Sequence, residues 1–95
     1  MEKKAFFIRV TGHVQGVGFR SFVKSVAEEM GVTGWVRNLP DGSVQIFSVF
    51  SEDQTDRWVA AVTKGPPFSA VVHVEIEETS PEYESREFLI ARSGE

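Results

Sequence analysis

The spacing of hydrophobic and polar residues changes several times along the chain, and each change marks an element. In AFFIRVTG, Phe6, Ile8 and Val10 alternate with Phe7, Arg9 and Thr11. This two-residue repeat predicts a strand with one buried face over Ala5 to Thr11. From Phe19 the apolar positions become Phe19, Val23, Val26, Ala27 and Met30, a spacing of three and four that lays one stripe along a helix, with Gly31 as its stop. VTGWVRN then reads as a second strand, LPDG as a tight turn and SVQIFSVF as the antiparallel partner. Ser51 and Gln54 stand at capping-box spacing, and Trp58, Val59 and Val62 continue at helical intervals until Gly65 and two prolines interrupt them. A fourth strand, SAVVHVEIEE, is expected to place Ala70, Val72, Val74 and Ile76 on one face and His73, Glu75 and Glu77 on the other. REFLIAR adds a short final strand that brings Phe88 and Ile90 to an edge.

The order β-α-β-β-α-β predicts an α+β, ferredoxin-like βαββαβ sandwich: a mixed, mainly antiparallel sheet with two helices on one face and a short C-terminal edge strand. In a right-handed βαβ unit the first two strands run parallel, so the loops that leave them emerge at the same end of the sheet. Gly12 to Arg20 and Arg37 to Gly42 are therefore expected to face each other.

Length and composition narrow the function classes. The 95 residues fit one domain spanning the whole chain, 41% of them are hydrophobic, and there are eight Phe and two Trp but no Cys. A packed core without disulfides follows, and thiolate catalysis and cysteine metal sites are excluded. No apolar run approaches the ~20 residues of a membrane span and no signal-peptide pattern follows Met1, so a soluble cytoplasmic protein is expected. Fourteen acidic against ten basic residues give a net charge of −4, which argues against general nucleic-acid binding. Any anion site must be local.

One stretch has the makings of such a site. TGHVQGVGFRSF puts Gly12, Gly16 and Gly18 between a strand and a helix, where a glycine-rich loop can turn backbone N–H groups toward one point. Arg20 adds a planar fork of donors suited to two phosphate oxygens. These features also fit a plain tight turn and a solvated arginine, and Asn38 before LPDG also fits an ordinary turn residue. His13 and His73 have no partner at ligand spacing, so no metal site is expected.

VTGHVQGVGFRSFV together with GWVRNLPDGSVQI resembles the acylphosphatase family, whose pattern is G-x-V-Q-G-V-G-[FY]-R followed by G-[WF]-V-[RK]-N-x-x-[DN]-G-x-V. KGPPFSAVVHV is similar to the family's G-P-x-x-[AS]-x-V segment, and the similarity spans essentially the whole chain. The resemblance implies that Gln15, Gly16, Val17, Gly18, Phe19 and Arg20 form a phosphate cradle, that the Arg20 guanidinium grips the phosphoryl oxygens, and that the Asn38 amide positions the attacking water. Two segments depart from the pattern: SVFSED carries Phe50 where the family usually has a glycine, and TSPEYESREFLIAR lacks the common Gly before its final Phe.

The implied reaction is direct hydrolysis of an acyl phosphate to a carboxylate and inorganic phosphate. Its carboxylate leaving group needs no strong general acid, so positioning and electrostatics suffice. No cofactor and no metal are expected, because the chain has no Cys and Gln15–Arg20 holds no Asp or Glu. The expected partner is a small acyl phosphate, with inorganic phosphate or sulfate as competitor, and the expected state is a monomer. Two other classes are open: a module that binds carbamoyl or acyl phosphate without efficient turnover, like the domain in hydrogenase-maturation carbamoyltransferases, and an RNA-binding sheet with Phe7 and Phe47 as stacking aromatics.

Overall fold

The period-two pattern at the start of the chain forms β1 (Lys3–His13), and Phe6, Ile8 and Val10 face the core as expected. The computed structural model describes residues 2–93. After β1 come α1 (Phe19–Met30), β2 (Thr33–Asn38), β3 (Val44–Ser51), a single 3₁₀ turn (Glu52–Gln54), α2 (Thr55–Lys64), β4 (Ala70–Thr79) and β5 (Phe88–Ile90). The strands form one sheet in the order β4-β1-β3-β2-β5. β1 and β2 each pair antiparallel with β3, so they run parallel to each other on its two sides. β5 joins the far edge of β2 in parallel. This is the ferredoxin-like arrangement, with the two loops of interest at one end of the sheet.

Both helices pack on the same face. Phe19, Val23, Ala27 and Met30 from α1 and Trp58 and Val62 from α2 share a core with Phe6, Ile8, Val10, Val36, Val44, Ile46 and Phe50 from the strands. Phe50, one of the departures from the family pattern, is fully buried with its ring edge-on to Phe6 at 5.0 Å. Ser48 lies on this apolar face as well, where its Oγ accepts a hydrogen bond from the Trp58 indole N–H at 2.9 Å. That contact satisfies both groups in the interior, as burial of polar atoms requires.

The opposite face of the sheet carries a second, aromatic cluster. The Phe7 and Phe47 rings lie 5.0 Å apart with Trp35 beside them, and Tyr83 stands edge-on to Phe47 at 5.0 Å. The segment from Ser80 to Glu87 runs from β4 at one edge to β5 at the other and brings Tyr83 over this surface. Phe47 is buried in consequence, so the exposed stacking platform that the RNA-binding reading needs is covered.

The fourth strand differs from its expected face assignment. β1 runs two residues beyond the predicted end, to His13, and its pairing with β4 slips between Thr11 and Gly12. Pairs that match Val10 with Val74 and Thr11 with His73 continue as Gly12 with Val71, which leaves Val72 as an extra residue. One inserted residue reverses the parity of everything before it. Val71 therefore packs against the core while Val72 is 80% exposed, and Ala70 is exposed too.

Gly12 is required by this slip. Its φ is 128°, and a β-carbon there would overlap the Ala70 carbonyl oxygen on β4. Gly31, the C-cap of α1, also has a positive φ of 73° but opens onto free space. Gly31→Ala should cost only the left-handed backbone strain, about 1–2 kcal/mol. Gly12→Ala adds backbone displacement along β1 and β4, so its melting temperature should fall clearly further than the ~4–8 °C per kcal/mol that the strain alone implies. Equal melting temperatures for the two variants would contradict the assigned role of Gly12.

Candidate active site

The loop between β1 and α1 alternates between anchored side chains and open backbone. Val14 and Phe19 are buried at its ends, and Val17 packs against the core between them. Gly16 and Gly18 take left-handed φ values of 75° and 78°, and a β-carbon on either would meet nothing within 4 Å. Here glycine provides conformation and leaves the outer side of the loop unobstructed. Gly18 is the N-cap of α1; no side chain caps the helix, and no acidic residue stands in its first turn. The first-turn N–H groups of a helix have no intrahelical acceptor and carry a partial positive charge, so this end of α1 suits an anion. Arg20, in the same turn, is partly exposed, and among the described residues it forms no ion pair.

The turn after β2 closes against this loop. The Gln15 side-chain Nε2 donates to the Leu39 and Ser43 carbonyl oxygens, both at 2.9 Å. The Leu39 N–H in turn donates to the Ser43 carbonyl at 2.9 Å, and the Gly42 N–H to the Leu39 carbonyl at 3.1 Å. Asn38, the last residue of β2, stands at the root of this turn. Its Oδ1 is buried and accepts no hydrogen bond from any described residue. A buried acceptor without a donor costs about 1–3 kcal/mol, which sets Asn38 apart from the other buried side-chain polar groups of the described residues.

Charged groups stiffen the turn from its other side. Arg9, on the outer face of β1, donates through Nη2 to Asp41 Oδ2 at 2.6 Å and through Nε to Ser43 Oγ at 3.3 Å. Its Nη1 also lies 3.6 Å from Glu75. Asp41 Oδ1 accepts from both the hydroxyl and the backbone N–H of Ser43. The Ser43 bonds first, and the Arg9 contact after them, lower the Asp41 pKa to about 2.

Gln15 thus joins the two predicted loops, while two of the residues expected to face each other lie elsewhere. Gly12 belongs to the sheet and not to the open loop. Arg37 turns away to the outer face, where Nε donates to Gln45 Oε1 at 2.8 Å and the guanidinium lies 5.2 Å from the Trp35 ring centroid. Sequence reasoning missed the buttress: Gln15 was expected to contribute backbone, whereas its side chain ties the two loops. The Asp-x-Ser spacing of Asp41 and Ser43 is a recognisable Asx-turn signal, but nothing local points to Arg9.

Because the folded-state pKa of Asp41 is depressed, its contribution to stability is present above the unfolded value of 3.8 and is lost as pH falls toward about 2. Asp41→Asn should therefore melt below wild type at neutral pH, and the gap should close across that acidic window. A gap that stays constant from pH 7 to pH 2 would show that the Asp41 carboxylate does not hold the turn.

Comparison with known proteins places this geometry in a family. The acylphosphatase sequence profile matches residues 6–90. An acylphosphatase from Archaeoglobus fulgidus is 49% identical over 84 residues, which cover 87% of this chain and 94% of that protein. The crystal structure of acylphosphatase from Bacillus subtilis superposes with a TM-score of 0.88 at 38% identity, covering 93% of this chain and 98% of that one. Full-length HypF in its phosphate- and nucleotide-bound form is also similar, with a TM-score of 0.84 and 26% identity, over 97% of this chain but 12% of that protein. With the profile matched across nearly the whole described length and the curated relative covered almost end to end, the chain belongs to the acylphosphatase family.

Proposed function

We propose that this chain hydrolyses the carboxyl–phosphate bond of acyl phosphates, with the phosphoryl group in the Gln15–Arg20 loop and the attacking water held by Asn38. The observation that carries the reading is the tie between the two loops: from a loop whose backbone is open, Gln15 bonds the turn that directly follows Asn38. Backbone N–H groups at the start of α1 and the Arg20 guanidinium stabilise charge on the phosphoryl oxygens. The Asn38 amide, which offers both a donor and an acceptor, orients the water so that an oxygen lone pair faces phosphorus.

The chemistry matches these groups. The water oxygen bonds to phosphorus as the bond from phosphorus to the acyl oxygen breaks, and the electron pair of that bond departs on the carboxylate. Both water hydrogens end on the phosphate product, so an acyl phosphate dianion and water give a carboxylate and dihydrogen phosphate. The leaving group is a weak base and needs no proton in flight, so a site without a general acid suffices. The carboxylate beside the loops, Asp41, is engaged by Ser43 and Arg9, so the donor set does not suit a carboxylate-held divalent cation.

Purified protein should release phosphate catalytically from acetyl or benzoyl phosphate, and EDTA should leave the rate unchanged. Loss of activity on chelation would overturn the metal-free mechanism. A module that only binds acyl phosphate, as the match to one segment of HypF allows, would be stabilised by phosphate without releasing it from substrate.

The two side chains separate by role. Arg20→Gln should weaken inorganic phosphate binding as well as turnover, and Arg20→Lys should also be damaging, because an ammonium lacks the planar fork. Asn38→Ala should lower kcat by ~10² or more while phosphate affinity stays near wild type. Calorimetric titration of phosphate alongside steady-state kinetics distinguishes them. Wild-type turnover in Asn38→Ala, or loss of phosphate binding as complete as in Arg20→Gln, would remove the water-positioning role.

A further inference from the structure

Arg9 grips the turn after β2 with a fork. Its Nη2 donates to Asp41 Oδ2 at 2.6 Å and its Nε to Ser43 Oγ at 3.3 Å, while Nη1 lies 3.6 Å from Glu75 on β4. Register explains the reach, because Arg9 stands opposite Gln45 on β3 and opposite Glu75 on β4, so the residues that lead into β3 arrive over its side chain. The ion pair with Asp41 is exposed, with 41% and 49% of the two side chains accessible, and pairs of this kind add only about 0–1 kcal/mol to stability. What the contact fixes is geometry. A guanidinium presents its donors in a rigid plane and so sets two acceptors relative to each other, as the single ammonium of a lysine does not.

Both arms of the fork end on Ser43, one directly and one through Asp41. The Ser43 Oγ and N–H donate to Asp41 Oδ1, the same Oγ accepts from Arg9, and the Ser43 carbonyl oxygen accepts from the Gln15 side chain and from the Leu39 N–H. Ser43 is buried with all of its polar atoms engaged, as interior polar groups require. Leu39, held through that carbonyl, directly follows Asn38, and Val44, directly after Ser43, is the cross-strand partner of Asn38. Arg9 from the outer face of the sheet and Gln15 from the strand–helix loop therefore meet at the residue that closes the turn around Asn38. Among the described residues no hydrogen bond or ion pair of Arg9 reaches Gln15–Arg20.

We infer that Arg9 is a positioning residue for the hydrolysis: its fork, acting through Ser43 and Asp41, sets the Asn38 amide against the reacting water without touching the phosphoryl group, an inference that rests on Asn38 orienting that water. Placement of an oriented group is demanding, since a shift of about 1 Å can cost ~10² in rate. A contact that adds little to stability can thus carry much of the turnover.

A double-mutant cycle in the full chain tests the role. Arg9→Gln should lower kcat for benzoyl phosphate roughly tenfold, while the affinity for inorganic phosphate, measured by calorimetric titration, stays at the wild-type value. In the Asn38→Ala background the same substitution should change kcat by less than about twofold, the scatter expected of uncoupled sites, because the group that Arg9 aims is gone. Arg9→Lys keeps the charge and loses the fork; it should follow the same pattern to a smaller extent, and it carries the cycle if Arg9→Gln does not fold. A wild-type kcat in the folded Arg9 variants, an equal fall in both backgrounds, or a fall matched by loss of phosphate affinity overturns the positioning role. Failure of the underlying reading looks different: wild type would not turn over benzoyl phosphate, or Asn38→Ala alone would retain its rate.

Discussion

The side-chain amide of Gln15 is the contact on which the site depends. Its two hydrogen bonds are ordinary in energy, about 1 kcal/mol net each, but both end on backbone carbonyls of the turn that follows Asn38. They fix the distance between two loops that, among the described residues, no other side-chain hydrogen bond spans directly from the open strand–helix connection. The contact is available because β1 and β2 run parallel on either side of β3, which delivers their C-terminal ends to one place. Topology brings the loops near, and one glutamine sets them in register.

Much of the architecture is legible in the sequence because most elements have an unambiguous period. The stripe from Phe19 to Met30 and the alternation from Phe6 to Val10 both survive intact in the structure. The slip at Gly12 left no trace, since Val71 and Val72 are the same residue type and an inserted valine does not disturb a hydrophobic count. Three closely spaced glycines likewise look alike on paper. Only the structure separates Gly12, which yields to the backbone of β4, from Gly16 and Gly18, which take left-handed turns in open space.

The candidate site was legible in a different way. Residue type and position left Arg20 and Asn38 with plain structural explanations, and it was the family resemblance that singled them out. The structure adds what neither reading contained: an Asn38 oxygen without a donor, and a clamp of Arg9, Asp41 and Ser43 behind the turn. Such support is hard to read from sequence because its targets are backbone atoms, which every residue carries, or partners far away in the chain. Electrostatics follow the same local logic. The chain carries −4 overall, yet Glu77, Glu78, Glu82 and Glu84 are exposed on β4 and the segment after it, away from the uncapped start of α1. With a screening length of about 8 Å at physiological salt, an anion near the loop responds to Arg20 and the helix end more than to that distant acidic surface.

The order in which the strands pair has a consequence for the newly made chain. Gln15, Arg20 and Asn38 all lie in its first half, but β1 is held between β3 and β4, and β2 between β3 and β5. A ribosome thus delivers these three residues before β4 and β5, the strands that complete the sheet around them. Pairings between distant segments are slow to form, so chemical competence arrives at the close of folding, and recovery of turnover after dilution from denaturant reports the completion of the sheet more faithfully than the early return of helix does.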